Sequence, residues 1–187
     1  MARGSASTKR KSRVPQAERR ADVIDAALVE FGKRGFDGTT TSMIAGRAGI
    51  QQPYIYALFK NKRDLFLACQ EALYERMMAI FEGAIEEDDS PYERLRKMGI
   101  AYLALLQDEA WMQCHLQILA ASGHPDLQPQ IRDAFVGTFA RIEEMTGAEP
   151  EQVAHFFASG VLINAMGAMD VPFEMIVHLR VPAEDEL

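Results

Sequence analysis

Apolar residues recur at intervals of three and four along most of the chain, which is the spacing of helices that bury one face. The pattern predicts helices at about residues 19–34, 62–85, 91–106, 108–121, 127–145 and 150–169, with two shorter ones between residues 40 and 59. Glycine and proline mark several helix ends, among them Gly35, Pro91 and Gly147. No segment alternates as a strand would, so the sequence predicts an all-α fold.

The two short helices lie in the segment TTSMIAGRAGIQQPYIYALFKNKRDLF, residues 40–66. Thr40 is suited to cap the first helix by accepting from free backbone amides, and Gly49 can supply the positive φ of a tight turn. Pro53 falls in the first turn of the second helix, where a missing amide is tolerated. This is the layout of a helix-turn-helix, whose second helix can enter the major groove of DNA. An ordinary helical hairpin is the alternative.

The second short helix has a buried and an outward face. Ile55 and Phe59 repeat at the spacing of residues that enter a core. Gln51, Gln52 and Tyr54 point outward at the N-terminal end, which is the end that meets bases. Glutamine can pair with adenine through two hydrogen bonds, so Gln52 is expected to read a base.

The segment from Ala17 to Phe66 resembles the DNA-binding domain of the TetR (tetracycline-repressor) family. The resemblance rests on FGKRGFDGTT (31–40), IAGRAGI (44–50) and YIYALFKNKRDLF (54–66). The chain departs from the family at Pro53 and Tyr54, where the base contacts would differ. The resemblance implies that Lys62 and Tyr56 contact DNA phosphates, although Tyr56 can equally serve in packing. The residues expected to bind DNA are Thr40, Ser42, Gln51, Gln52, Tyr54, Tyr56, Lys60 and Lys62.

Charge is divided unevenly along the chain. Residues 1–63 hold 13 Lys and Arg against 5 Asp and Glu, a net charge of +8. The remainder holds 7 against 22, a net charge of −15, so that the whole chain carries −7. A basic segment attached to an acidic body is typical of a protein that holds DNA with one part only.

These patterns divide the chain into a flexible basic arm at 1–14, a helix-turn-helix DNA-binding domain at 15–61 and a helical domain at 62–187, which the resemblance implies to be an effector-binding and dimerisation domain. The arm carries Lys9, Arg10, Lys11 and Arg13 in a polar, Ser-rich context that favours disorder. It either follows the DNA backbone or minor groove, or serves only as a solubilising tail, and both interpretations stay open.

The resemblance implies that residues 62–187 form a dimer. A stripe of small residues on the last helix is suited to close approach by another helix. A single DNA-binding module also buries too little surface for tight specific binding, so two modules on a palindromic operator are expected. Packing within the chain is the alternative for the stripe. The predicted dimer interface consists of Phe135, Phe139, Phe156, Gly160, Asn164 and Gly167.

Aromatic and sulfur-containing residues of the same region are placed to surround a central cavity. An apolar cavity with few polar groups is the usual form of a ligand site, which indicates a small hydrophobic or aromatic effector. The same residues would equally form plain core. The residues expected to contact this ligand are Met78, Phe81, Met98, Tyr102, Trp111 and His115.

Other classes of protein find little support. Cys69 and Cys114 are too few for a disulfide framework, which fits a reducing cytoplasm. No apolar run is long enough to span a bilayer, and the polar N-terminus lacks the apolar segment of a signal peptide. Cys114, His115 and His124 match no closed metal-binding spacing, and no phosphate loop or nucleophile motif is present. Neither an enzyme, nor a cofactor, nor a bound metal is therefore expected.

The sequence thus predicts a cytoplasmic homodimeric transcriptional regulator. The resemblance implies that an effector would release a repressor from the operator by favouring a dimer with another spacing of recognition helices, and that the fourth helix would carry this change. A helical protein-interaction or ligand-sequestering module with the same fold is the alternative of another class. An activator, or a regulator without an effector, shares every DNA-binding residue and stays open.

Overall fold

The computed structural model describes residues 15–172, and in this part of the chain it contains helices and no strand. The all-α prediction is therefore confirmed. The predicted basic arm at 1–14 and the segment 173–187 lie outside the described residues. The helices are α1 (Gln16–Gly38), α2 (Thr41–Ala48), α3 (Gln52–Leu58), α4 (Lys62–Ala84), α5 (Pro91–Leu105), α6 (Glu109–Ala120), α7 (Gln128–Thr146) and α8 (Pro150–Ala168), with a short 3₁₀ turn at Ala121–Gly123 between α6 and α7.

Several of the helices begin at side chains that accept hydrogen bonds from free backbone amides. Thr40 accepts from the Met43 amide at the start of α2, as the sequence predicts. Asn61 caps α4 and Asp108 caps α6 in the same way. Ser90 and Glu93 form a reciprocal capping box at the start of α5. These local signals explain why most of the predicted helix starts agree with the structure to within a few residues.

Helix α1 continues further than its sequence pattern predicts. Gly35 has φ 67° and interrupts the regular helix, as expected, but helical hydrogen bonding resumes through Gly38. The Thr39 hydroxyl then donates to the carbonyl oxygens of Gly35 at 2.8 Å and Glu30 at 3.0 Å. Two carbonyls near this end of α1 therefore share a hydroxyl donor before the chain enters α2.

The first three helices pack around a small apolar core. Phe31 of α1, Ile44 of α2 and Ile55 of α3 are each fully buried. A buried carboxylate adds a polar tie, because Glu30 pairs with Arg34 on its own helix and accepts from Arg47 Nε of α2 at 2.6 Å. The α1–α2 arrangement is thus fixed by both packing and charge.

Helix α1 also packs closely against α6. A Cβ atom on Gly32 would lie 3.2 Å from the backbone nitrogen of Cys114, closer than nearly all real contacts of this kind. Glycine at this position lets the two helices approach. One apolar cluster consequently runs from Val23 to Val153, and the division of the chain at residues 61 and 62 remains a prediction.

Helices α4 to α8 form the acidic, larger part of the structure. Its centre is aromatic, because the Tyr102 ring of α5 lies 6.1 Å from that of Phe81 on α4 and 5.7 Å from that of Trp111 on α6, measured between ring centroids. Cys69 and Cys114 are free and buried, as expected, and burial raises the pKa of the Cys114 thiol to about 12. No helix within residues 15–172 combines the length and apolar character that crossing a membrane requires.

Candidate nucleic-acid interface and internal cavity

The turn between α2 and α3 has the geometry of a helix-turn-helix. Gly49 closes α2 in the left-handed region, with φ 65° and ψ 32°, a conformation that strains residues with a Cβ atom. The Ile50 amide donates to the Ala45 carbonyl at 3.0 Å and completes the turn. Ile55 and Phe59 anchor α3 to the core with exposures of 0% and 3%. The opposite face of α3 is therefore free.

The residues predicted to bind DNA lie together on this free side. Tyr54 and Tyr56 are 39% and 50% exposed, which is unusual for large aromatic side chains. Met43 of α2, which the sequence interpretation passed over, is exposed beside them. The other exposed members of the predicted set are Thr40, Ser42, Gln51, Gln52 and Lys60.

A hydroxyl between α2 and α3 connects two of these residues. Thr41 is buried, and its Oγ1 atom accepts a hydrogen bond from Gln52 Nε2 at 2.8 Å. The same oxygen lies 3.1 Å from the Tyr56 hydroxyl. Thr41 therefore orients one predicted base-reading side chain and one predicted phosphate contact. The sequence gives no signal for this role, since Thr41 stands between two further candidates, Thr40 and Ser42.

Lys62 lies in a different environment from the rest of the predicted set. It is half-buried at the first turn of α4, and its Nζ atom donates to the carbonyl oxygens of Phe36 at 2.8 Å and Thr39 at 3.1 Å. The ammonium also lies 4.4 Å from the centroid of the Phe36 ring. One of its three N–H groups is left for a phosphate. The contact between Lys62 and a DNA phosphate remains a prediction. The hydrogen bonds to Phe36 and Thr39 give Lys62 a structural role as well.

A cavity of about 340 Å³ lies among α4, α5, α6, α7 and α8. Its wall is largely aromatic and aliphatic. On α4 the lining residues Tyr74, Met77 and Phe81 follow one another at helical spacing. Further lining residues include Arg96, Leu103, Tyr102, His115, Phe135, Thr138, Ile142, Phe156, Phe157, Gly160, Ile163 and Asn164.

Three of the six residues predicted to contact a ligand line this cavity, namely Phe81, Tyr102 and His115. Met78 does not, because one helical step turns it about 100° away from Met77, which lines the wall instead. Met98 and Trp111 are 0% and 1% exposed and are likewise not among the residues of the cavity wall. Ligand contact by these three residues stays a prediction.

Four buried polar residues of the cavity wall come from four different helices. Asn164 Nδ2 of α8 donates to the Tyr102 hydroxyl of α5 at 2.6 Å. Burial raises the pKa of Tyr102 and of Tyr74 on α4. Burial also lowers the pKa of His115 on α6 to about 4, so its imidazole is neutral at pH 7. This polar group of four side chains thus carries no charge.

The small-residue stripe of α8 faces inward, which the dimer prediction did not anticipate. Asn164 is 1% exposed, and a Cβ atom on Gly167 would lie 3.0 Å from Met112 Sδ of α6. Gly160 and Phe156 line the cavity, as does Phe135 of α7. Phe139 packs on Phe157 with ring centroids 5.2 Å apart. The stripe therefore makes contacts within the chain, and its part in a dimer interface stays a prediction.

Comparison with known proteins identifies a match over the first helices. Residues 23–69 match the family described as bacterial regulatory proteins, tetR family. These residues comprise most of α1, all of α2 and α3, and the start of α4. The match therefore covers the whole helix-turn-helix described above.

Two curated relatives extend this finding. The chain is 27% identical over 108 residues to the HTH-type transcriptional activator FasR of Mycolicibacterium smegmatis, covering 58% of this chain and 49% of FasR. It is 49% identical over 51 residues to the tetracycline repressor protein class A from transposon 1721 of Escherichia coli, covering 27% of this chain and 24% of the repressor. The chain thus spans about half or less of the length of these relatives, which are transcriptional regulators and not enzymes.

Solved structures share the fold over nearly the whole chain. The fatty acid degradation regulator FadR from Bacillus halodurans has a TM-score of 0.72 at 17% identity, covering 95% of this chain and 100% of that one. FadR from Bacillus subtilis in complex with stearoyl-CoA has a TM-score of 0.64 at 19% identity, covering 80% and 87%. Residues 23–69 thus match the tetR family of bacterial regulatory proteins, and the chain as a whole shares the fold of these solved regulators.

Proposed function

We propose that this protein is a sequence-specific DNA-binding transcriptional regulator. The observation that carries the proposal is the outward surface of α3, where Gln52, Tyr54 and Tyr56 stand exposed beside the exposed end of α2. Such a surface fits a major groove, with the N-terminal end of α3 toward the base edges. The basic charge of residues 1–63 supports it, because phosphate neutralisation supplies much of the affinity of such proteins.

The DNA-binding form in this proposal is a homodimer on a palindromic operator. One module of this size buries less DNA surface than tight specific binding requires. Exposed apolar side chains on the packed pair α7 and α8 offer a surface for the partner, with Val136 59%, Val161 42% and Leu162 45% exposed. This outward face is proposed in addition to the interface residues predicted from the sequence. DNA as the partner also places the protein in the cytoplasm.

A small hydrophobic ligand in the cavity is proposed to lower operator affinity. Helix α4 is the element that supports such coupling, since Tyr74, Met77 and Phe81 line the cavity and Lys62 begins the same helix at the DNA side. A ligand that binds better to a dimer with another spacing of α3 helices would shift the population away from the DNA-binding form. This is the action of a ligand-relieved repressor.

An activator would use the same residues, and the named relatives include both an activator and a repressor. A helical module that binds a protein or sequesters a ligand without regulating genes is the alternative of another class. The charge asymmetry and the exposed α3 favour the regulator.

In vitro selection from a random duplex library tests the proposal, using the full-length protein. The expected result is a palindromic consensus with half-sites about one helical turn or more apart. A matched selection with Gln52→Ala and Tyr54→Ala combined should lose the consensus while the protein stays folded and dimeric. Recovery of no consensus by the unchanged protein would contradict sequence-specific regulation and favour the ligand-sequestering alternative.

A further inference from the structure

The cavity has a polar end with unpartnered atoms. Tyr74, His115 and Asn164 line it from α4, α6 and α8, and each is at least nine-tenths buried. The Tyr74 hydroxyl, His115 Nδ1 and Asn164 Oδ1 have no hydrogen-bond partner among residues 15–172. Gln70, one turn before Tyr74, is the neighbouring polar side chain, but no hydrogen bond of normal geometry joins the two. The cavity wall thus holds three unused polar atoms.

Unpaired buried polar atoms are rare in folded proteins, and each one calls for a partner. Three of them around one cavity indicate an occupant that forms hydrogen bonds at this end. The rest of the wall is apolar, with Phe81, Phe135 and Phe156 on different helices. The occupant therefore combines a large apolar body with a small polar group. A volume of about 340 Å³ suits a compact molecule of this kind.

The polar end of the cavity is uncharged, which further restricts the polar group that a ligand can place there. His115 is neutral at pH 7 because burial lowers its pKa. Arg96 is the charged side chain among the residues of the cavity wall, and it is exposed. A carboxylate placed beside Tyr74, His115 and Asn164 would lose its hydration without gaining a cation, which is strongly unfavourable. An ionised head group is therefore disfavoured at this end.

A hydroxyl group matches the hydrogen-bonding character of these unpartnered atoms. The oxygen and nitrogen of the Asn164 amide are interchangeable in assignment, and so are the two neutral tautomers of His115. A hydroxyl both donates and accepts, so it satisfies either assignment. We propose that the ligand of this cavity is a neutral, bulky apolar alcohol or phenol whose hydroxyl binds at the Tyr74–His115–Asn164 end. This inference rests on the proposed ligand-binding function of the cavity and names the class of its ligand.

A direct binding experiment without DNA tests the ligand class. Trp111 is the single tryptophan and stacks on His115, with ring centroids 5.2 Å apart and an interplanar angle of 5°. Its fluorescence therefore reports on the polar end. The probes are 4-tert-butylcyclohexanol, the carboxylate with the same ring, and tert-butylcyclohexane, none of which absorbs where tryptophan is excited. The alcohol is expected to bind at least about tenfold more tightly than the carboxylate at pH 7.5.

Tyr74→Phe provides the matched variant, because it removes only a hydroxyl that has no partner in the fold. It should weaken alcohol binding about three- to tenfold, leave hydrocarbon binding unchanged and keep or raise the melting temperature. Tyr102→Phe is the contrasting variant, since it strands the Asn164 amide and should lower the melting temperature.

Three results would each overturn the ligand class: no binding of the alcohol, equal or tighter binding of the carboxylate, or alcohol binding unaffected by Tyr74→Phe. Operator selection is independent of this assay. A palindromic consensus together with preferred carboxylate binding would support the proposed regulator function and reject only the proposal that the ligand is a neutral alcohol. If the unchanged protein selects no consensus, the proposed regulator function is rejected, whichever probe binds in the cavity.

Discussion

Lys62, at the start of α4, contacts both the backbone and the ring of Phe36 near the end of α1. Its ammonium donates to the Phe36 carbonyl at 2.8 Å and lies 4.4 Å from the centre of the same residue's ring. A lysine expected to bind phosphate therefore also joins α4 to the end of α1. Because α2 follows α1 directly, this contact helps to fix the helix-turn-helix relative to α4.

This arrangement predicts that Lys62→Met lowers the free energy of unfolding by about 1–3 kcal/mol, since two carbonyl oxygens lose a charged donor. DNA affinity should fall as well. Lys60→Met is the matched control, because Lys60 is exposed and its side chain has no such partners. It should change stability by less than about 0.5 kcal/mol while reducing the salt dependence of DNA binding. Urea denaturation and binding at two salt concentrations measure both, and equal stability of the two variants would refute the structural role of Lys62.

Thr41 provides a second prediction, because its buried hydroxyl contacts both Gln52 and Tyr56. Thr41→Val keeps the shape but removes the hydroxyl, so specific DNA affinity should fall by about 1–2 kcal/mol through misplacement of both side chains. Thr41→Ser keeps the hydroxyl and should retain most of the affinity. Fluorescence anisotropy with operator and scrambled duplexes measures the effect. Wild-type discrimination between these duplexes by Thr41→Val would show that Thr41 does not position the contacts.

Gln52 is predicted to read a base. Its Nε2 atom is bonded to Thr41, which fixes the plane of the amide and leaves Oε1 free to accept. Gln52→Ala should lose about 1–3 kcal/mol of discrimination at one operator position. Competition binding with operators changed at single positions measures this loss. Uniform weakening on every duplex would mean that Gln52 contacts only the backbone.

His115 predicts a pH dependence of stability. Burial lowers its pKa to about 4 in the folded protein, against about 6.5 in an unfolded chain. Between these values the unfolded chain binds a proton that the folded protein does not, so the free energy of unfolding rises with pH. As pH falls from 6.5 to 4, about 3 kcal/mol should be lost through this residue.

His115→Phe should remove this part of the pH dependence while keeping a ring to stack on Trp111. His155→Gln, at a half-buried position of α8, serves as the control and should behave as the unchanged protein. Denaturant unfolding followed by circular dichroism at pH 7, 5.5 and 4.5 makes the comparison. Parallel loss of stability in the unchanged protein and His115→Phe would contradict a neutral, buried His115.

The helix-turn-helix was predictable because its signals are local. Thr40 as a cap and Gly49 as a turn residue act within a few positions, and both behave as their chemistry requires. The start of α5 followed in the same way from Ser90 and Pro91. Lys62 was only partly predictable, since its carbonyl partners Phe36 and Thr39 depend on how α1 meets α4.

The inward face of α8 was not predictable from the sequence. Apolar residues occur around the whole helix, and Val161 and Leu162 are exposed while the neighbouring Ile163 is buried. Such a helix has no polar face to show which side meets the core. The polar Asn164 is buried because Tyr102, 62 residues earlier, accepts its hydrogen bond. A hydrogen-bond partner this far away in the sequence cannot be inferred from the residues around Asn164.

The affinity ratio between the selected operator and a scrambled duplex tests the central claim most directly. It is measured by fluorescence anisotropy with the full-length protein at two salt concentrations. The account predicts at least about 10³-fold tighter binding to the operator, with a smaller ratio for Gln52→Ala. Equal binding of both duplexes, weakening alike as salt rises, would contradict a sequence-specific regulator.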